Sequence, residues 1–242
     1  MHDRTQPPSP SVIDTAILER LPTQPASRIA ELLPHRWQAG WRCYARRMSA
    51  KTTSKRPKTS CIYQLRIELQ HIEPLIWRRI FVPDALRLAK LDRVVQAAMG
   101  WTNSHLHDWH IEQQRYGIPD EEWIGGGDML DERKVTIGAV LGEHVQAFGY
   151  GYDFGDDWQH NITVEQRLEI QEGRNNWPMC LAGENACPPE DVGGPPGYMD
   201  FLEAMHNSRH GQHADYLRWW GGPFDPRAFS INAANMTIRK LR

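Results

Sequence analysis

An α+β fold is predicted for this 242-residue chain: a single roll-like domain with a mainly antiparallel sheet, one central helix and helices at the C-terminus. Three observations predict it. Apolar residues alternate with period two just after position 60, one strong stripe at helical spacing follows, and the last fifth of the chain has a helical pattern. Strands come first and helices close the chain, which is not the regular alternation of a parallel α/β sheet. A hydrophobic content of 40% with ten Trp is ample for a core and excludes global disorder.

The first strand is set by Tyr63, Leu65, Ile67 and Leu69, which alternate with Gln64, Arg66, Glu68 and Gln70. A turn at residues 71–74 leads to a second strand over 75–82. Asp84 is placed to cap the next helix, in which Leu88, Leu91, Val94, Val95, Ala98 and Met99 recur at helical spacing and which Gly100 ends. A third strand is expected over 106–112. Phe148, Tyr150, Tyr152 and Phe154 line one face of a strand, Gly155-Asp156-Asp157 turns the chain, and Ile162 and Val164 line the return, which makes a hairpin. Gly125-Gly126-Gly127 reads as a flexible loop without phosphate-loop residues, and 173–197 as a long Pro/Gly loop. Tyr198, Phe201, Leu202 and Met205 form one helical stripe, Tyr216, Leu217 and Trp220 a second, and Asp225-Pro226 a helix start. The expected core is Leu65, Ile67, Leu91, Val94, Val95, Ala98, Phe154, Ile162 and Phe201.

Residues 1–59 read as a basic, Pro-rich, largely disordered extension, with room for short helices at 13–21 and 28–33 and a polar linker at 49–59; the domain proper is 60–242. Met48, just before that linker, is an alternative start to Met1. Net charge is −2, but residues 1–60 carry a balance of +7 and the remainder −9. An acidic body makes a poor non-specific nucleic-acid binder, so contact with nucleic acid would run through the basic arm. No apolar run reaches the roughly 18 residues that span a bilayer, and no secretory leader is evident. Four scattered cysteines do not make a disulfide framework, so a reducing cytoplasm is the expected location.

The candidate chemistry lies in three short segments. His105 and His107 are spaced i, i+2, which on a strand places both on one face for a metal; they could equally cap the preceding helix and bond carboxylates. Asp153, Asp156 and Asp157 could hold a hard cation or act as acid and base, or simply build a tight turn; His160 follows three residues later. Glu190 and Asp191 stand between two prolines and Gly193-Gly194, either presented to a ligand or bonded to loop amides. Cys180 and Cys187 are separated by six residues, against two to four in compact zinc knuckles. They read as buried thiols, with a metal shared with His160 as the alternative. Arg78 and Arg79 are candidate anion contacts, but adjacent strand residues face opposite sides, so at most one serves a given site. No nucleophile elbow or Ser/His/Asp order is present.

Several phrases run co-linearly over residues 62–229: Ile76-Trp77-Arg78-Arg79, Gln96-Ala97-Ala98-Met99-Gly100-Trp101, Ser104-His105-Leu106-His107, Tyr152-Asp153-Phe154-Gly155-Asp156-Asp157-Trp158, Cys187-Pro188-Pro189-Glu190-Asp191 with Gly193-Gly194, and Phe224-Asp225-Pro226. On these the body resembles the plasmid pRiA4b open-reading-frame-three-like family, also called transposon-passenger TnpR proteins. The resemblance implies a single α+β domain of bacteria and mobile elements with no established activity. Some members carry Cys where this chain has Val192, which weakens a three-Cys metal site here. A recombinase is not expected, since the body lacks an Arg-rich active site and a basic DNA-binding tail. Two functions follow: an accessory binding domain with a protein partner, or a metal-dependent hydrolase or nuclease that uses a divalent cation held by the His/Asp/Glu loops. Convergence of His105, His107, Asp153, Asp156, Asp157, His160, Glu190 and Asp191 on one point in a concave site would favour the second, and their dispersal over separate turns the first.

Overall fold

The structure, a computed structural model, describes residues 61–119, 129–169 and 178–241. The expected extension at 1–59, its short helices and linker, Met48 and the Gly125-Gly126-Gly127 loop all lie outside the described residues. The fold is α+β. Eight strands form one sheet: β1 (Cys61–Leu69), β2 (Trp77–Pro83), β3 (His107–Ile111), β4 (Gln114–Gly117), β5 (Met129–Asp131), β6 (Ala147–Tyr152), β7 (Trp158–Glu169) and β8 (Met179–Glu184). Their order is β5-β4-β3-β6-β7-β1-β2-β8, and every neighbouring pair is antiparallel except β4 with β5. The helices are α1 (Leu88–Met99), α2 (Ile137–Leu141), α3 (Gly194–His206), α4 (His213–Trp220) and α5 (Ile231–Lys240).

Alternation does what it predicts in β1, where Tyr63, Leu65, Ile67 and Leu69 are buried. These meet the apolar face of α1, whose Leu88, Leu91, Val94, Val95 and Ala98 are buried in the same core. Each such aliphatic side chain contributes about 1.5–3 kcal/mol relative to exposure. Gly100 ends α1 at φ 119, a left-handed conformation that a side chain would strain. The β6–β7 hairpin forms with Tyr152 opposite Trp158.

Four expectations are corrected. Phe154 is not in the core but 40% exposed. β6 stops at Tyr152, and Asp153 at φ 55 breaks the alternation that would have turned Phe154 inward. Asp84 does not cap α1, which starts four residues later; its carboxylate accepts the Cys61 N–H at 3.1 Å and so ties the entry of β1. Asp225 does not start a helix. It accepts the Arg227 N–H at 2.9 Å in a local turn, and α5 starts after Ser230, whose hydroxyl accepts from Ala233. The long loop contains β8, an edge strand paired with β2, and already gives way to α3 at Gly194. β4, β5 and α2 are three to five residues long, too short to show a period.

Candidate functional site

The three acidic and His-bearing segments converge. Residues 102–106 link α1 to β3, residues 153–157 link β6 to β7, and residues 187–193 link β8 to α3, and all three meet beside the end of β6. The backbone makes the first join: the Asp153 N–H donates to the Leu106 carbonyl at 2.8 Å. Within the hairpin turn Asp153 Oδ1 accepts the N–H groups of Gly155 at 3.0 Å and Asp156 at 3.3 Å. That is the ordinary turn chemistry of Asp. It leaves Oδ2 3.5 Å from His105 Nε2. Asp156 Oδ2 accepts the Gly193 N–H at 3.1 Å and holds the third loop against the hairpin. Gly194 must be glycine here, because it adopts φ 67 and a Cβ would run into the Asp156 carbonyl. Asp191, at φ 57, then reaches back so that its Oδ1 lies 3.0 Å from His105 Nε2.

His105, Asp153 and Asp191 each offer one ligand atom within 4.8 Å of the others, the only such group of three among the described residues. His105 Nε2 is shielded from solvent, yet neither carboxylate is aligned to hydrogen-bond with it. Two donors about 2.1 Å from a tetrahedral ion lie about 3.4 Å apart, close to the 3.5 and 3.0 Å at which the Asp153 and Asp191 oxygens stand from His105 Nε2. The mixed nitrogen and oxygen set suits zinc or manganese better than calcium or magnesium. None of the described ion pairs brings Lys or Arg to Asp153, Asp156, Asp157, Glu190 or Asp191.

The remaining predicted residues stand apart from this point. Glu190 faces the first loop, accepting from the Thr102 N–H at 2.8 Å, the Thr102 hydroxyl at 3.0 Å and the Tyr152 hydroxyl at 3.1 Å. Asp157 accepts from the Gln159 amide at 2.5 Å. With Asp156, His71, Pro195, Pro196 and Met199 it lines a shallow open groove beside the cluster. His107 does not share a face with His105, because β3 begins only at His107 and His105 sits in the loop before it. Its ring is buried between Glu132, 2.9 Å from Nε2, and Asp92, 3.4 Å from Nδ1. Burial works against its charge, but the Glu132 hydrogen bond and the Asp92 charge prevail and raise its pKa. Burial likewise raises the Asp92 carboxyl, with His107 opposing.

His160 lies in the interior, its Nδ1 3.1 Å from the Tyr150 carbonyl and its ring edge-on to Trp101. Burial lowers its pKa to about 4. Cys180 and Cys187 are free thiols, and neither joins a ligand group with His160 among the described residues. Burial pushes Cys180 up to about 11 and Cys187 higher still. Arg78 is fully buried and donates to five carbonyls, those of Trp77, Ala98, Met99, Glu184 and Asn185, so none of its N–H groups remains for an outside anion. Arg79 faces the other side and forms a bidentate pair with Glu165 at 2.5 and 2.6 Å.

Sequence reasoning missed Tyr152, Thr102, Asp92 and Glu132. Only Asp92 carried a signal: with Leu88, Val95 and Met99 it falls at i, i+4, i+7 and i+11 on the apolar stripe, where a charge requires a buried partner.

Residues 61–233 match the family described as Plasmid pRiA4b ORF-3-like protein. The chain is 41% identical over 184 residues to the uncharacterized protein y4hQ of Sinorhizobium fredii (strain NBRC 101917 / NGR234), covering 74% of this chain and 92% of that protein. It is also similar to a crystal structure, that of a protein of unknown function, MM3350, from Methanosarcina mazei Go1. The TM-score is 0.65 and the identity 32%, over 72% of this chain and 97% of that one. No helix among the described residues is long and apolar enough to cross a membrane.

Proposed function

This chain belongs to the plasmid pRiA4b ORF-3-like family, and from that premise we propose that it is a binding domain built around a divalent-cation site, not a recombinase. His105 Nε2, Asp153 Oδ2 and Asp191 Oδ1 are the ligands. The observation that carries this reading is the unaligned approach of two carboxylates to one solvent-shielded imidazole nitrogen. Three loops from different parts of the chain are held in register to make that approach, and two carboxylates balance the charge of one divalent ion. The cation in turn would fix the loops and the adjoining groove, which is the surface offered to a protein partner. The plasmid in the family's description supports an association with mobile elements, and the cytoplasm is the compartment that fits three free cysteines among the described residues.

A metal-dependent hydrolase is the second reading. It is favoured by the side chain of Asp191, 72% exposed, on a site of only three protein ligands, which leaves coordination positions open to water. Titration of the metal-free full chain with Zn2+ and Mn2+ by calorimetry tests the first reading. One equivalent bound by the wild type and none by His105→Ala is the expected result, and no uptake by the wild type contradicts it. Metal-dependent turnover of model phosphodiesters or esters, lost in His105→Ala, would move the assignment from binding to catalysis.

A further inference from the structure

Tyr152 touches all three loops. It precedes Asp153 in the chain, and its ring packs edge-on to His105 at 5.9 Å between centroids. Its hydroxyl accepts the Ser104 N–H at 3.1 Å and donates to the Glu190 carboxylate at 3.1 to 3.2 Å. Glu190 adjoins Asp191 and is itself gripped by Thr102 through both the N–H and the hydroxyl. Trp101 also packs on the Tyr152 ring, 4.9 Å away between centroids. The hydroxyl is thus a donor to Glu190 and an acceptor for Ser104 at once.

We infer that Tyr152, clasped to Glu190, is the positioning residue that sets the affinity and selectivity of the cation site; this rests on the reading above. None of the three ligands sits on a regular element: His105 precedes β3, Asp153 follows β6, and Asp191 precedes α3. Loops left to themselves would sample many separations of the three donor atoms. The clasp connects the residue before His105, the residue before Asp153 and the residue before Asp191 through one hydroxyl and one carboxylate. A single break should let all three donors drift. A small ion with strict geometry loses most from that drift, whereas Ca2+ accepts a wide, irregular shell at 2.3–2.6 Å. Loosening the clasp should therefore weaken Zn2+ more than Ca2+. A generally softer fold would weaken both alike.

The test is calorimetric titration of the full chain with Zn2+ and with Ca2+, for the wild type, Tyr152→Phe, Glu190→Ala and His105→Ala. Removing the hydroxyl is expected to weaken Zn2+ by about 10–100-fold, the usual effect of losing a group that orients a metal ligand, and to narrow the Zn2+ to Ca2+ affinity ratio. Glu190→Ala breaks the same clasp from its solvent side and should do likewise, so it decides the matter if Tyr152→Phe does not fold. Wild-type Zn2+ affinity in these clasp variants, with binding abolished in His105→Ala, overturns the positioning role and leaves the cation site standing. A wild type that takes up no cation overturns the site and this role together.

Discussion

One residue separates His105 from His107, and each imidazole meets two carboxylates. His107, with its side chain 7% exposed, lies between Asp92 and Glu132, and those carboxylates are bonded in turn to Tyr150 and Trp109. His107 Nε2 is hydrogen-bonded to Glu132, and no side-chain atom of that group is among the buried polar atoms left without a partner. His105, 29% exposed, has Asp153 and Asp191 at similar distances, yet no contact is aligned as a hydrogen bond. The ingredients are the same, so neither residue type nor distance separates a structural ion pair from a ligand site. Alignment and exposure separate them. A buried imidazole bonded to buried carboxylates holds the fold, and a shielded nitrogen facing one buried and one exposed carboxylate, neither aligned with it, is the ground of the proposed cation site.

The largest effect expected from this contrast is on stability. His107→Ala leaves Asp92 and Glu132 buried without their imidazole partner, and losing one partner of such a group costs about 3–5 kcal/mol. Urea denaturation reads this directly, and a loss below about 1 kcal/mol would show that the interior group is not what holds β3 to α1. Leu91→Ala, fully buried in the same core, should cost about 2–5 kcal/mol and calibrates the measurement. His105→Ala in metal-free protein should stay within about 0.5 kcal/mol of the wild type. Equal losses for His105→Ala and His107→Ala would erase the distinction.

The pH dependence sharpens the contrast with opposite signs. The folded pKa of His107 is raised, so its contribution is fully present below the unfolded value of about 6.5 and is lost as pH rises through the folded pKa. His160 is lowered to about 4. The unfolded chain therefore takes up a proton first, and stability falls as pH drops from about 6.5 to about 4, by roughly 3 kcal/mol at 1.36 kcal/mol per unit. Imidazole proton resonances followed against pH check both, and a His160 that is half-protonated at pH 6 would contradict its burial.

Much of this was legible in the sequence and some was not. The β1 alternation, the α1 stripe with Gly100 and the β6–β7 hairpin are local patterns, and local patterns survive folding. Phe154 failed because one left-handed residue, Asp153, ended the strand early. β8 failed because an edge strand with a single fully buried residue has no alternation to read. The three loops that meet beside β6 were visible as clusters of His, Asp and Glu, whereas the split between His105 and His107 depends on where β3 begins. Glu132 and Asp92 are joined to His107 across 25 and 15 residues of chain, a pairing that no spacing within a short motif encodes. Tyr152 looked like another core aromatic of its strand, and its ring is one; only its hydroxyl belongs to the site.

If the three loops make one cation site, anomalous diffraction from crystals of the full chain soaked in Zn2+ or Mn2+ will reveal it. One strong peak about 2.0–2.2 Å from His105 Nε2, Asp153 Oδ2 and Asp191 Oδ1 is expected. Soaked crystals with no peak there, or with ions bound only at other carboxylates, would contradict it.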